Sequence, residues 1–174
     1  MALGGDLVLR VRSSTSDYDG FRVSFSPKSL SAEYSCAGGG NIPFSNGCFK
    51  AHFTVYQPLP DDFVEVHIPF ESFSDHWNPA TGEQTIACSP EHPEVCPKES
   101  DLKHIRWMEI WAEGVAGDIH LEVQSISAEL DMPKTNVITK EHGSDISLIT
   151  FDGEPATTFK FRQYNDPVMV IFSK

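Results

Sequence analysis

The sequence has no run of Lys or Arg; 13 basic residues stand against 25 acidic ones, for a net charge of −12. Phosphate binding is driven by clustered cations, so this balance argues against a nucleic-acid partner. No apolar stretch approaches the ~18 residues that a helix needs to cross a bilayer, which argues against a membrane span. No Asn-x-Ser/Thr triplet occurs, so N-glycosylation lends no support to secretion. The opening Met1-Ala2-Leu3-Gly4-Gly5-Asp6 has neither a basic n-region nor an apolar h-region, and it is not Arg/Ser-rich. The expectation is a cytosolic protein or one whose targeting segment lies upstream of Met1. The Gly38–Gly40 stretch is followed by no Lys-Ser/Thr, which argues against a phosphate loop. Amphipathic helices are also missing; only 70–76 has room for a single helical turn.

What is present fits a chain of 174 residues with one packed domain, 40% of it hydrophobic. Cys36/Cys48 and Cys88/Cys96 form two local pairs. Their even number and short loops suggest disulfides and an oxidising compartment, each closure contributing roughly 2.5–3 kcal/mol. The competing reading is four reduced thiols.

The dominant period is two. Leu7, Leu9 and Val11 alternate with Val8, Arg10 and Arg12; Phe21, Val23 and Phe25 alternate with polar neighbours, as do Phe49, Ala51, Phe53 and Val55, then Val64, Val66 and Ile68. Further alternation runs over 104–112 and 118–130, with a phase change near Ser125 that predicts a β-bulge. Turn signals separate these runs: Asp19-Gly20, Asn46-Gly47, Thr81-Gly82, Gly114 and Gly117. Antiparallel strands with one dry and one wet face predict an all-β sandwich of the jelly-roll type. The segment 79–100, rich in Pro and nearly aperiodic, reads as a long loop that is functional or mobile.

Three stretches, in order, resemble the complex I intermediate-associated protein 30 (CIA30) family. They are Asp6–Arg12 with Asp19-Gly20-Phe21, then Phe63-Val64-Glu65-Val66-His67-Ile68-Pro69-Phe70-Glu71-Ser72-Phe73 with Trp77 and Gly82, then Gly117–Ile126. A fourth, Ile149-Thr150-Phe151-Asp152-Gly153 with Tyr164-Asn165-Asp166-Pro167-Val168-Met169, is similar to the family's opening segment. Here it comes last, and Val170-Ile171 stand where the family has Gly-Gly. The resemblance implies a galactose-binding-like sandwich over 6–130, a linker over 131–145, and over 146–174 the truncated start of a second copy. A sandwich short of its first strands leaves an open edge, so Leu148, Ile149 and Phe151 are expected either to dock and fill it or to hang loose. The resemblance further implies a non-catalytic assembly factor or chaperone of mitochondrial respiratory complex I, or a plastid relative, with a protein assembly intermediate as partner. It supplies no catalytic residue and no cofactor.

Other constellations compete with that reading. Cys88, His92 and Cys96, with His76 or His104, have ligand types suited to zinc, but their spacing fits no common finger, and no metal is assigned. Trp107, Glu109 and Trp111 share one side of a strand. If exposed, two indoles flanking a carboxylate make a carbohydrate platform; if inward, they are core. Pairs such as Asp61/Asp62 and Glu109/Glu113 are the minimum a glycosidase needs, though a sequence with 25 acidic residues contains such pairs by chance. His52, His67 and His120 fall on the polar phase and are expected to be solvated. The leading expectation is a protein-binding module. The alternatives are a carbohydrate-binding module of a secreted or luminal protein and a sandwich-fold glycoside hydrolase.

Overall fold

Two-residue alternation becomes strand wherever the apolar phase can be buried. The computed structural model describes residues 4–15, 17–27, 48–56, 62–130, 145–150, 160–163 and 168–173, the last three segments as backbone only. Its strands are β1 (Gly5–Arg12), β2 (Phe21–Ser26), β3 (Phe49–His52), β4 (Val64–Pro69), β5 (Trp107–Ala112), β6 (Glu122–Leu130), β7 (Asp145–Thr150), β8 (Lys160–Gln163) and β9 (Val168–Ser173). They form two antiparallel sheets, ordered β4-β1-β6-β7 and β3-β2-β5-β9-β8.

The inner faces share one core. Leu7, Leu9 and Val11 of β1 and Ile126 of β6 are fully buried against Phe21, Val23 and Phe25 of β2 and Met108 and Ile110 of β5. Phe25 is central: its ring lies 5.4 Å from Phe49, 5.1 Å from Phe73 and 6.4 Å from Phe70. Burying each such side chain stabilises the fold by about 1.5–3 kcal/mol. The β1–β6 register slips between Arg10, opposite Ser125, and Val11, opposite Val123, which puts the bulge at Gln124.

Helix is scarce. A 3-10 turn spans Phe70–Ser72, a second spans Pro93–Val95, and a single α-turn, α1, spans Glu99–Leu102. The first falls within the single turn expected over 70–76; α1 was not expected, and it starts where the Asp101 carboxylate accepts the Lys98 backbone N–H at 2.8 Å. Among the described residues no helix is long and apolar enough to cross a membrane.

The C-terminal strands are hydrogen-bonded into the same two sheets. β7 pairs with β6, Ile149 opposite Ile126, and Leu148 occupies the extra position at a register shift. β9 lies along the whole of β5 with β8 outside it. Of the linker expected over 131–145, residues 131–144 lie outside the described residues and Asp145 opens β7; Phe151 also lies outside them.

One expectation needs correcting. The second sheet is not wet on its outer face over β2 and its immediate neighbours: every residue of β2 is buried, including Arg22 (6% exposed) and Ser24 (0%), and Lys50 on β3 is 0% exposed. The outer phase is dry because the segment between β4 and β5 lies across it.

Candidate functional site

The polar phases of β3, β2 and β5 are brought into line by register. Lys50 lies opposite Ser24, and Ser24 lies opposite Glu109, so a cation, a hydroxyl and a carboxylate form one row across three strands. Arg22 opposite Trp111 and Ser26 opposite Trp107 flank that row.

The polar groups of the row are satisfied by one another and by Glu113, Trp107 and Trp111, while Arg22 donates to the Asp19 and Phe21 carbonyl oxygens and its Nε has no hydrogen-bond partner among the described residues. Lys50 Nζ donates to Glu113 Oε1 at 2.6 Å, both side chains almost wholly buried. Trp107 Nε1 donates to Glu109 Oε1 at 2.7 Å, Ser24 Oγ donates to Glu109 Oε2 at 3.3 Å, and Trp111 Nε1 donates to Ser24 Oγ at 2.9 Å. The Lys50 ammonium also lies over two indoles, 3.7 Å from the Trp77 ring centroid and 3.9 Å from that of Trp111. Burial lowers the Lys50 pKa to about 8, against the opposing pull of Glu113. A buried cation is tolerated here because it has a carboxylate and two π faces in place of water.

The cover is locally specified. Lys50 and Ser74 exchange backbone hydrogen bonds at 2.9 and 3.2 Å, and the Gln84 side-chain amide donates to the carbonyl oxygens of Lys50 and Ser72. Trp77 bridges to Gln84 and is 1% exposed. The turn 78–82 then meets the end of β5. Gly82 has φ +72°, and a Cβ there would lie 2.1 Å from Glu113 Oε1; Gly114 has φ +76°, and its Cβ would lie 2.5 Å from the Thr81 carbonyl oxygen. Only glycine meets both demands, the left-handed backbone and the close approach.

The sequence-predicted residues fall as follows. Glu109 is fully buried, Trp111 is 5% exposed and Trp107 is half-buried, so these three do not form an open platform. The indole side of the strand is core, in a second cluster with Trp77 and Cys48. Cys88 and Cys96 are joined by a disulfide with a Cα–Cα distance of 4.9 Å, which leaves no thiolate in that pair to ligate zinc. Cys48 is also disulfide-bonded, while Cys36 lies outside the described residues, as does Asp61. Asp62 is exposed, and so are His52, His67 and His120. Sequence reasoning missed Lys50, Ser24, Trp77 and Glu113 as a group. The one available signal is Trp77 with Gly82 just after the Pro69-Phe70 stretch.

A second feature is open. A groove of about 400 Å3 lies between the sheet edges, lined from one side by His52, Phe53 and Tyr56 and from the other by Glu65, Val66 and His67. β3 and β4 are the outermost strands of their sheets on this side. Tyr56 is 86% exposed. On the neighbouring sheet face, Asp6, His67 and Glu129 bring one ligand atom each to within 4.8 Å of one another, with His67 Nδ1 3.2 Å from Asp6 Oδ2. Compared with known proteins, the sequence matches no family model and no curated protein, and the fold matches no solved structure.

Proposed function

We propose that the protein is a non-catalytic binding module, a jelly-roll sandwich of the galactose-binding-like type, that takes a protein partner on the open edge between β3 and β4. The observation that carries this reading is the contrast between a closed chemistry and an open groove. The buried acids and cations, Glu109, Glu113, Lys50 and Arg22, lie under cover, with Lys50 bonded to Glu113 and Glu109 to its polar neighbours. Among the described residues that line the groove, Glu65 is the one carboxylate, where glycoside hydrolysis needs two. Its rim carries Tyr56, a residue type enriched where proteins bind one another. The resemblance to the CIA30 family points the same way, to an assembly intermediate of a respiratory complex as the partner. Burial of the tryptophans removes the main support for a carbohydrate-binding module.

Photo-crosslinking tests the proposal. A photoreactive amino acid at position 56 is expected to give, in cells, an adduct with a subunit of an assembling respiratory complex, while the same group at Ile119, away from the groove, is not. No heterologous protein adduct together with ligands on a glycan array would overturn the reading, as would turnover of generic glycosides.

A further inference from the structure

β4 is the outermost strand of its sheet, and among the described residues no strand pairs with its free side. Exposed edges are commonly guarded by charged side chains, Lys above all, by Pro, by a bulge or by a covering loop. β4, with the sequence Val-Glu-Val-His-Ile-Pro, has no Lys, pairs with β1 without a register shift, and carries its Pro only at the last position. Its two phases differ. Val64, Val66 and Ile68 turn to the core, the first two only partly covered. Glu65 and His67 turn away, their side chains 56% and 45% exposed.

We infer that a second copy of this chain adds to this edge, β4 against β4 antiparallel, with the two-fold axis through Val66. The inference rests on reading the open edge as the binding surface, and it names what occupies that edge. A closed two-fold pair is the commonest form of self-association and must be self-complementary. Side chains alternate with period two, so the core faces of both copies stay aligned only when the axis passes through a residue. An axis through Glu65 sets that carboxylate against its own copy, and an axis through His67 sets imidazole against imidazole. With the axis through Val66, Glu65 faces the second copy's His67 twice, and Val64 faces Ile68 twice. Both phases are then satisfied at once, because a carboxylate meets an imidazole and not a second carboxylate, and opposed β-branched residues pack favourably.

The surroundings fit this register. Arg10 lies 3.5 Å from Glu65 and Asp6 lies 3.2 Å from His67, so both side chains are already held in the row that a neighbouring strand would extend. Tyr56, on the rim of the adjoining groove, is an exposed apolar surface available to a partner along that edge. Repulsion between two chains of net charge −12 opposes association, so the pairing depends on the edge and not on the general surface.

Sedimentation equilibrium of the purified full chain is expected to give twice the 19.3 kDa chain mass. Glu65→Lys sets Lys against His, and His67→Glu sets Glu against Glu, so each variant alone is expected to run as a monomer. In an equimolar mixture the introduced lysine of one variant faces the introduced glutamate of the other, and the retained His67 faces the retained Glu65. The mixture is therefore expected to restore the doubled mass. Both positions are exposed, and unchanged near-UV circular dichroism checks that the variants fold. A monomeric wild type, single variants that stay dimeric, or a mixture that stays monomeric would each overturn the inference. A monomeric wild type that still crosslinks to a heterologous protein from position 56 defeats only the self-pairing; a dimer that captures no other protein defeats only the assembly reading.

Discussion

On its inner side the sheet of β3, β2 and β5 presents Phe49, Ala51, Val23, Phe25, Met108 and Ile110; on its outer side the same strands present Lys50, Ser24, Glu109 and Trp111. Both sides are dry. The inner side is held by apolar burial, which is non-directional and tolerates many sequences of similar volume. The outer side is held by a buried ion pair, indole N–H bonds and cation–π contacts, each of which needs its partner in one geometry. Burial alone therefore does not identify the force. The outer layer contributes specificity of the cover, while the inner layer supplies most of the driving force.

The largest expected effects bracket the comparison. Phe25→Ala on the inner side removes contacts to three rings and is expected to cost about 3–5 kcal/mol in denaturant unfolding. Glu113→Ala on the outer side strands the Lys50 ammonium and is expected to cost a similar 3–5 kcal/mol. The two sides then diverge. Adding Lys50→Met to Glu113→Leu is expected to recover most of the loss, because a buried pair replaced by apolar groups of similar volume is nearly neutral. A double variant as unstable as Glu113→Ala would mean that the outer face is ordinary core and the contrast fails.

Gly82→Ala tests the junction between cover and network. The left-handed backbone and the approach to Glu113 together predict a loss of about 2–3 kcal/mol. Calorimetry that shows no change in melting temperature would mean that the turn moves freely and does not clamp Glu113.

The smallest effect concerns pH. Lys50 has a folded pKa of about 8, below its ordinary 10.5. Below pH 8 both folded and unfolded chains hold this proton, and the burial penalty is constant. Between pH 8 and about 10 the folded chain has lost it while the unfolded chain keeps it, so stability rises with pH by about 2 kcal/mol. Lys50→Met lacks this slope. The check is the difference between wild type and Lys50→Met across that range, and a flat difference would show that the ammonium stays charged under its two indoles.

Much of the inner architecture was legible in the residues. Leu7, Leu9, Val11, Val23, Phe25 and Ile68 are the apolar phases of their runs, and all are buried. The phase change near Ser125 is likewise written in the alternation, next to the extra residue at Gln124. The outer network was not legible. Lys50 sits between Phe49 and Ala51 as any solvated polar-phase residue does, and nothing local announces that Trp77 will fold over it. The same blindness left open whether the Trp107–Glu109–Trp111 face was an exposed platform or core.

What the sequence determined by itself is the period, and with it the strands, their inward residues, and the glycines at positions where a side chain has no room. These follow from local sterics and from the free energy of removing apolar groups from water, which each residue carries wherever it goes. Tertiary structure alone decided that Lys50, Ser24 and Glu109 would be covered, that β7, β8 and β9 would join the two sheets, and that no other described strand would pair with the outer side of β4. Those outcomes depend on which distant segment lies against which face, a relation among residues far apart in the chain that no local pattern encodes.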